Sequence, residues 1–275
     1  MKQEIETRWD TYYDMMQSVL DNFDALKRYP SIKQYVDQIN KGLLEEVVTL
    51  LKPIKHLRLE LCSDKNPTFH LVAMTFDSIM ELMQLKNSNS QPVQALKCRF
   101  KSLMKTKFHV TNLHLIATYL CPLFSRSFTF SNRELTKSAH EVLINLLDEC
   151  FESDPGSDQR EDDIKNQNSV FNQFMDIYPR SDSRSEYERF KTLSFSDSDR
   201  KMCPLQYWFD QQTSFPRMSK VALWMLSAPA TSSGSERSFS AAGNTITHHR
   251  NSMSPLTVEK LLFVKSNSDM FTIKK

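Results

Sequence analysis

Glu236 is the residue of this 275-residue chain whose type and setting could do chemistry. It lies in ATSSGSERSFSAAG (230–243), behind a run of small residues and directly before Arg237. A carboxylate so placed can ligate a metal in two-metal strand cleavage, but that chemistry needs other carboxylates to hold the ions. No such partner stands nearby in the sequence. The spacing Ser233-x-x-Glu236 also has a plainer reading, a capping box. Ser233 would accept from the amide of Glu236, and Glu236 would reach back to the amide of Ser233. On that reading Glu236→Ala costs about 0.5–2 kcal/mol of stability through the cap. Ser235 lacks the G-x-S-x-G frame of a serine hydrolase nucleophile.

The elements around Glu236 follow from local rules. Ala228 precedes Pro229 and is therefore extended, so a short strand or turn feeds a helix starting near Ser233. A second helix follows. Ser254 can N-cap it, Pro255 suits its first position, and Leu256, Leu261 and Leu262 give it an apolar face. Phe239 and the run Val221, Leu223, Trp224 and Leu226 add large apolar surface. Such surface builds either a core or a partner interface.

Upstream, apolar residues recur at steps of three and four over 31–61, 67–85 and 133–152, which predicts amphipathic helices. Ser131 and Glu134 fit a capping box before the last of these. No segment alternates for long, so the chain reads as mainly α. Residues 152–201 are polar, with ESDPGSDQREDDIKNQNSV and a Ser-rich run, and read as a partly disordered linker. The expected organisation is a helical domain over 1–151, that linker, and a third unit over 202–275.

Composition narrows the function classes. Hydrophobic residues make up 40% and charged residues 25%, which suits a globular core. Four glycines leave no room for G-x-G or P-loop phosphate cradles. Five scattered cysteines, without C-x-x-C pairs, read as reduced thiols rather than disulfides or zinc ligands. No apolar run approaches the ~18 residues of a membrane span, and MKQEIETRWD is too charged for a signal peptide. The expectation is a soluble intracellular protein without a membrane partner.

The net charge of +2 names no partner, but its distribution is uneven. No acidic residue occurs from Leu82 to Asn132, while Lys86, Lys97, Arg99, Lys101, Lys105, Lys107 and Arg126 are basic. That patch suits a phosphate backbone, whose counterions each contact would release. It equally suits a solvated helix face that balances the acidic stretch downstream.

The tail FPRMSKVALWMLSAPATSSGSERSFSAAGNTITHHRNSMSPLTVEKLLFVKSN resembles the C-terminal region of hAT-superfamily transposases. That region carries a small-residue turn, then E-R-x-F-S-x-x-G, an Arg-Asn pair and a leucine-rich helix. Glu236, Arg237, Phe239, Ser240 and Gly243 fill the first pattern, Arg250 and Asn251 the second, Leu261 and Leu262 the third. PLQYWF (204–209) resembles the tryptophan motif that opens the region, with Tyr207 where a second tryptophan is common. TRWDTYYDMM (7–16) resembles the family's Thr-Arg-Trp segment. LHLIATYLCPLF (113–124) resembles a Leu-Asp-Pro segment, but with Cys121 in the Asp position.

The resemblance implies a helical insertion-type domain followed by the C-terminal part of an RNase H-like fold, one short strand plus two helices. It implies that Glu236 is the third of three metal-binding acids. The two Asp belong before Thr7 and so outside this chain, as does the zinc-binding BED module. Mg²⁺ or Mn²⁺ is then expected only if a longer protein supplies those Asp; otherwise there is no cofactor. Dimerisation falls to Trp208, Leu223, Trp224, Leu226, Phe239, Leu261 and Leu262, with a homo- or hetero-dimer of hAT-type proteins expected. DNA contacts would fall to Arg8 and Trp9, whose indole could stack on an unpaired base, and to Lys97, Arg99, Lys101, Lys105 and Lys107. The nucleus is the implied compartment. The readings that follow are a catalytically incomplete, transposase-derived dimerisation protein, the C-terminal part of an active transposase, a DNA binder, and a remnant.

Overall fold

The computed structural model describes residues 9–124, 133–152, 183–246 and 253–268. Described residues form fourteen helices and no strand. The N-terminal part holds α1 (Trp9–Asp21), α2 (Phe23–Leu26), α3 (Pro30–Val36), α4 (Lys41–Leu61), α5 (Leu71–Leu82), α6 (Gln91–Lys107), α7 (Asn112–Leu120) and α8 (Arg133–Glu152). After them come α9 (Ser183–Thr192), α10 (Asp197–Lys201), α11 (Pro204–Asp210), α12 (Pro216–Leu226), α13 (Ser233–Thr245) and α14 (Pro255–Ser266).

The stretch 31–61, read as one helical stripe, is two helices. Asn40 breaks it: its side chain accepts from the amide of Leu43 at 3.0 Å and starts α4 afresh. Helix α8 falls where its periodicity puts it, although Ser131 of its expected cap lies outside the described residues. The tail helix α14 begins as its sequence says, with Ser254 Oγ accepting from the amide of Thr257 at 3.2 Å. The short strand expected before Ser233 does not form; residues 227–232 are a bend and turn. Among the described residues no strand is present for it to pair with.

One core dominates. It gathers Leu115, Leu120, Leu143, Leu147, Tyr187, Phe190, Trp208, Met218, Val221 and Leu226 from α7, α8, α9, α11 and α12. Trp208 lies at its centre. Its Nε1–H donates to the carbonyl of Leu120 at 2.7 Å, and Phe190, Tyr207 and Phe215 surround it with ring centroids 5.3–6.4 Å away. An indole can be buried this fully only because its one donor is satisfied. The core draws on the described residues of all three spans that the sequence set apart. In particular, 183–201 is not linker. α9 buries Tyr187, Phe190 and Glu186, and only the remainder of the polar stretch, 153–182, lies outside the described residues. Two smaller clusters stabilise the N-terminal helices, one around Phe23, Leu26 and Val36 and one around Ile54, Ile79 and Met83.

The Glu186 carboxylate accepts from the amides of Arg217 and Met218 at 3.2 and 2.8 Å, the first two donors of α12 after Pro216. Replacing it leaves buried donors without an acceptor, which costs about 1–3 kcal/mol per group. With two such donors, Glu186→Ala should lower the melting temperature by roughly 4–24 °C at about 2–4 °C per kcal/mol, read by circular dichroism. Glu186→Gln, which keeps an acceptor oxygen, should lose less.

Burial also sets the pH response. It holds His70 well below the usual histidine value, at about 4, and holds His114 and His140 below it too. Each ring is accommodated neutral, so its contribution is intact above the unfolded value of 6.5 and declines as pH falls towards about 4. Asp77, pushed up by burial, works the other way. His70 alone accounts for on the order of 3 kcal/mol at full protonation. Urea midpoints should fall steeply between about pH 6.5 and pH 4, and His70→Leu should flatten that fall.

Candidate dimerisation surface and the Glu236 turn

The chain leaves α12 through a turn pinned to the loop between α4 and α5. The amide of Ala230 donates to the buried Thr68 hydroxyl at 2.9 Å. Arg237 donates to the carbonyl of Cys62 at 2.8 Å and pairs with the Asp64 carboxylate. That carboxylate holds the guanidinium above its usual value, first through its hydrogen bond and then through its charge. Gly234 faces the same group: a Cβ there would stand 3.1 Å from an Asp64 oxygen.

Glu236 stands exposed in the first turn of α13. The expected capping box is not made. Ser232, not Ser233, is the N-cap, and no side chain caps the backbone. The Ser233 hydroxyl is engaged with that of Thr231 at 2.8 Å. Glu236 instead accepts from the Ser232 hydroxyl at 3.3 Å, and its charge sits favourably at the positive end of the helix. A two-metal centre needs several carboxylates converging on shared ions. Among the described residues no group of three or more His, Cys, Asp or Glu could hold a metal, and Asp64, against the same turn, is held by Arg237. The described residues therefore do not fit such a centre.

The residues expected to carry dimerisation divide sharply. Trp208 and Leu226 are fully buried in the core and are not interface residues; the indole N–H and the inward side of α12 explain why. Leu223 is half-buried against the same core. Trp224 is 53% exposed and Phe239 78%. Leu261 is exposed and Leu262 half-buried on α14. The sequence reading missed Ile246, Phe263 and Val264, all exposed, and did not mark the exposed Leu256 for dimerisation. Phe263 and Val264 sit in the run Leu261–Val264, whose unbroken hydrophobicity was the available signal. Helices α13 and α14 pack mainly on each other; α13 buries no side chain and α14 only Val258.

The basic residues divide too. Lys97 is 3% exposed. Its Nζ donates to the carbonyl of Gln84 at 3.0 Å and to Asn89 Oδ1 at 2.9 Å. It fastens the turn between α5 and α6 and cannot meet a phosphate there. Arg99, Lys105 and Lys107 are exposed on α6, and Lys101 is half-buried. Arg8 lies outside the described residues, as does the side chain of Trp9 at the start of α1. Among the described residues no helix is long and apolar enough to cross a membrane.

Residues 169–268 match the hAT family C-terminal dimerisation region. Zinc finger protein 618 of Homo sapiens is 24% identical over 268 residues, covering 94% of this chain and 27% of that protein. Its Mus musculus counterpart is 22% identical over 265 residues, with the same coverage of 94% and 27%. The Transposable element Hobo transposase of Drosophila melanogaster is 26% identical over 125 residues, 44% of this chain and 19% of that protein. The chain thus spans about a quarter of the length of the zinc finger proteins it is similar to.

The geometry separates Glu236 from its neighbour. Glu236→Ala should change stability by about 0.5 kcal/mol or less, as for an exposed side chain. Arg237→Ala, which releases both Cys62 and Asp64, should cost about 1 kcal/mol. Paired thermal unfolding curves check the order; a larger loss at Glu236 would restore the capping-box reading.

Proposed function

Starting from a chain whose residues 169–268 form a hAT C-terminal dimerisation region, we propose that it is a transposase-derived protein acting through self-association, or through pairing with a hAT-type partner, across α13 and α14. One observation carries the reading. Phe239, Leu256, Leu261, Phe263 and Val264 face solvent on a helix pair with almost no core of its own. Apolar side chains concentrated in this way mark an interaction surface. A stable interface needs about 1,200–2,000 Å² in total, and aromatic anchors such as Phe239 and Phe263 are the side chains that dominate such interfaces.

On this reading the chain by itself is not a nuclease; among the described residues no second and third carboxylate converge with Glu236. The competing reading makes it the C-terminal part of an active transposase whose two Asp lie outside these residues. The exposure of Glu236, which accepts from the Ser232 hydroxyl, favours that alternative in a longer protein. The exposed Arg99, Lys105 and Lys107 support non-specific DNA binding as an accessory property. A nuclear location, which the hAT resemblance implies, belongs to the same proposal.

Light scattering over a hundredfold concentration range tests the main reading. The expected result is a dimer that Phe239→Glu with Phe263→Glu converts to monomer while the chain still unfolds cooperatively and keeps most of its helical circular dichroism signal, any loss being confined to the tail helices. A monomer at every concentration for the unmodified chain would sink the homodimer form.

A further inference from the structure

We propose that the groove between α4, α5 and α6 is a docking site for a basic amphipathic helix of a partner protein. The groove has a volume of about 1020 Å³. One face of α4 forms its long wall, from Gly42 to Glu60, about 27 Å at 1.5 Å per residue. That is the length of a five-turn helix. Its floor is apolar: Leu50, Pro53 and Leu57 from α4 meet Leu82 from α5. All four are only part-buried, so the floor retains apolar surface for an occupant to cover.

The rim carries the specificity. Glu45, Glu60 and Glu81 line the groove and are exposed. The two lysines that line it do not cancel them. Lys97 is buried and engaged with Gln84 and Asn89, which leaves Lys86 as the exposed lysine among the described residues that line it. A fourth carboxylate, Glu46, accepts from the amide of Ser90 at 3.0 Å and from Asn89 at 3.2 Å. These bonds lock the turn that closes the groove.

An apolar trough of helical length with an acidic border matches one class of occupant. A helix with leucine-type residues at three- and four-residue steps would fill the floor. Lysines or arginines flanking that stripe would meet Glu45, Glu60 and Glu81, and would set register and on-rate. Nucleic acid and anionic lipid are repelled by the same rim. The site is separate from α13 and α14, so it gives the chain a second partner surface, independent of dimerisation.

The probe is a capped synthetic peptide of about 18 residues, long enough to match the groove. It carries leucines at positions 3, 4 and 7 of each heptad-like turn and lysines on both flanks. Its control has glutamate for every lysine. With the full chain, fluorescence anisotropy should show the lysine peptide binding at least about tenfold tighter than the control, and weakening with salt. The surface triple variant Glu45→Lys, Glu60→Lys, Glu81→Lys should abolish that preference or reverse it. Phe239→Glu with Phe263→Glu should leave peptide binding unchanged, so loss of the dimer and loss of docking are read separately. The proposal is overturned if both peptides bind equally, or if neither binds at about 1 mM. It is also overturned if the triple variant leaves binding intact. A change in molar mass with the triple variant would assign the groove to a second copy of the chain instead.

Discussion

The carboxylate of Glu186 holds the arrangement together. It is fully buried, and a carboxylate in that position is costly unless donors replace the water it loses. Two amides at the start of α12 do so, with the positive end of the helix behind them. The helix gains equally, since Pro216 already removes one of its free amides and Glu186 accepts from the next two. The rest of α9 follows from this anchor. Tyr187 and Phe190 enter the core, and Arg189 donates to the carbonyl of Ser214 at 3.1 Å while lying over the Phe215 ring. With α12 fixed at its start, its far end delivers the turn that Thr68, Cys62 and Asp64 then hold. The position of Glu236 is thus set some fifty residues earlier, by another glutamate.

The same anchoring stops short of the tail. Beyond Arg237 the chain has few inward contacts, and α13 and α14 rest chiefly on each other. Helices of 13 and 12 residues are marginal without tertiary packing. Such a pair gains stability from whatever covers it, which couples order in the tail to association. Dimerisation and the docking groove then differ in kind. On the proposed reading the tail completes its core with a partner. The groove belongs to helices with their own small core around Ile54, Ile79 and Met83, and would be present before any partner arrives.

Much of the fold was legible in the sequence because helical periodicity is strong in α4, α5 and α8. Asn40 shows how a single capping residue divides a stripe whose period runs straight through it. α9 was unreadable for a different reason. SRSEYERFKT offers two aromatics and two glutamates in a hydrophilic run, and its inward residues are recognisable only once α12 supplies donors. Lys97 was misjudged for the converse reason. It shares a basic run with Arg99 and Lys101, but the acceptors that bury it, Gln84 and Asn89, precede α6. The Glu236 turn was half legible: the helix start was right, but the hydroxyl pairing of Thr231 with Ser233 moved the cap by one residue.

Trp208 and Trp224 show what separates core from interface when residue type cannot. In α12, Met218, Val221, Ala222 and Met225 face inward. Those steps of three, one and three define a side that Trp224 is not on. Its exposure could have been inferred from that period, and the burial of Trp208 from the need of its indole for an acceptor such as Leu120. No such inference works for α14. Val258 and Leu261 to Val264 spread round the helix and leave it no polar side to turn outward. A helix of that kind in water has fewer neighbours than its composition demands. In α14 it is therefore the lack of amphipathicity, more than any one exposed side chain, that points to a missing surface.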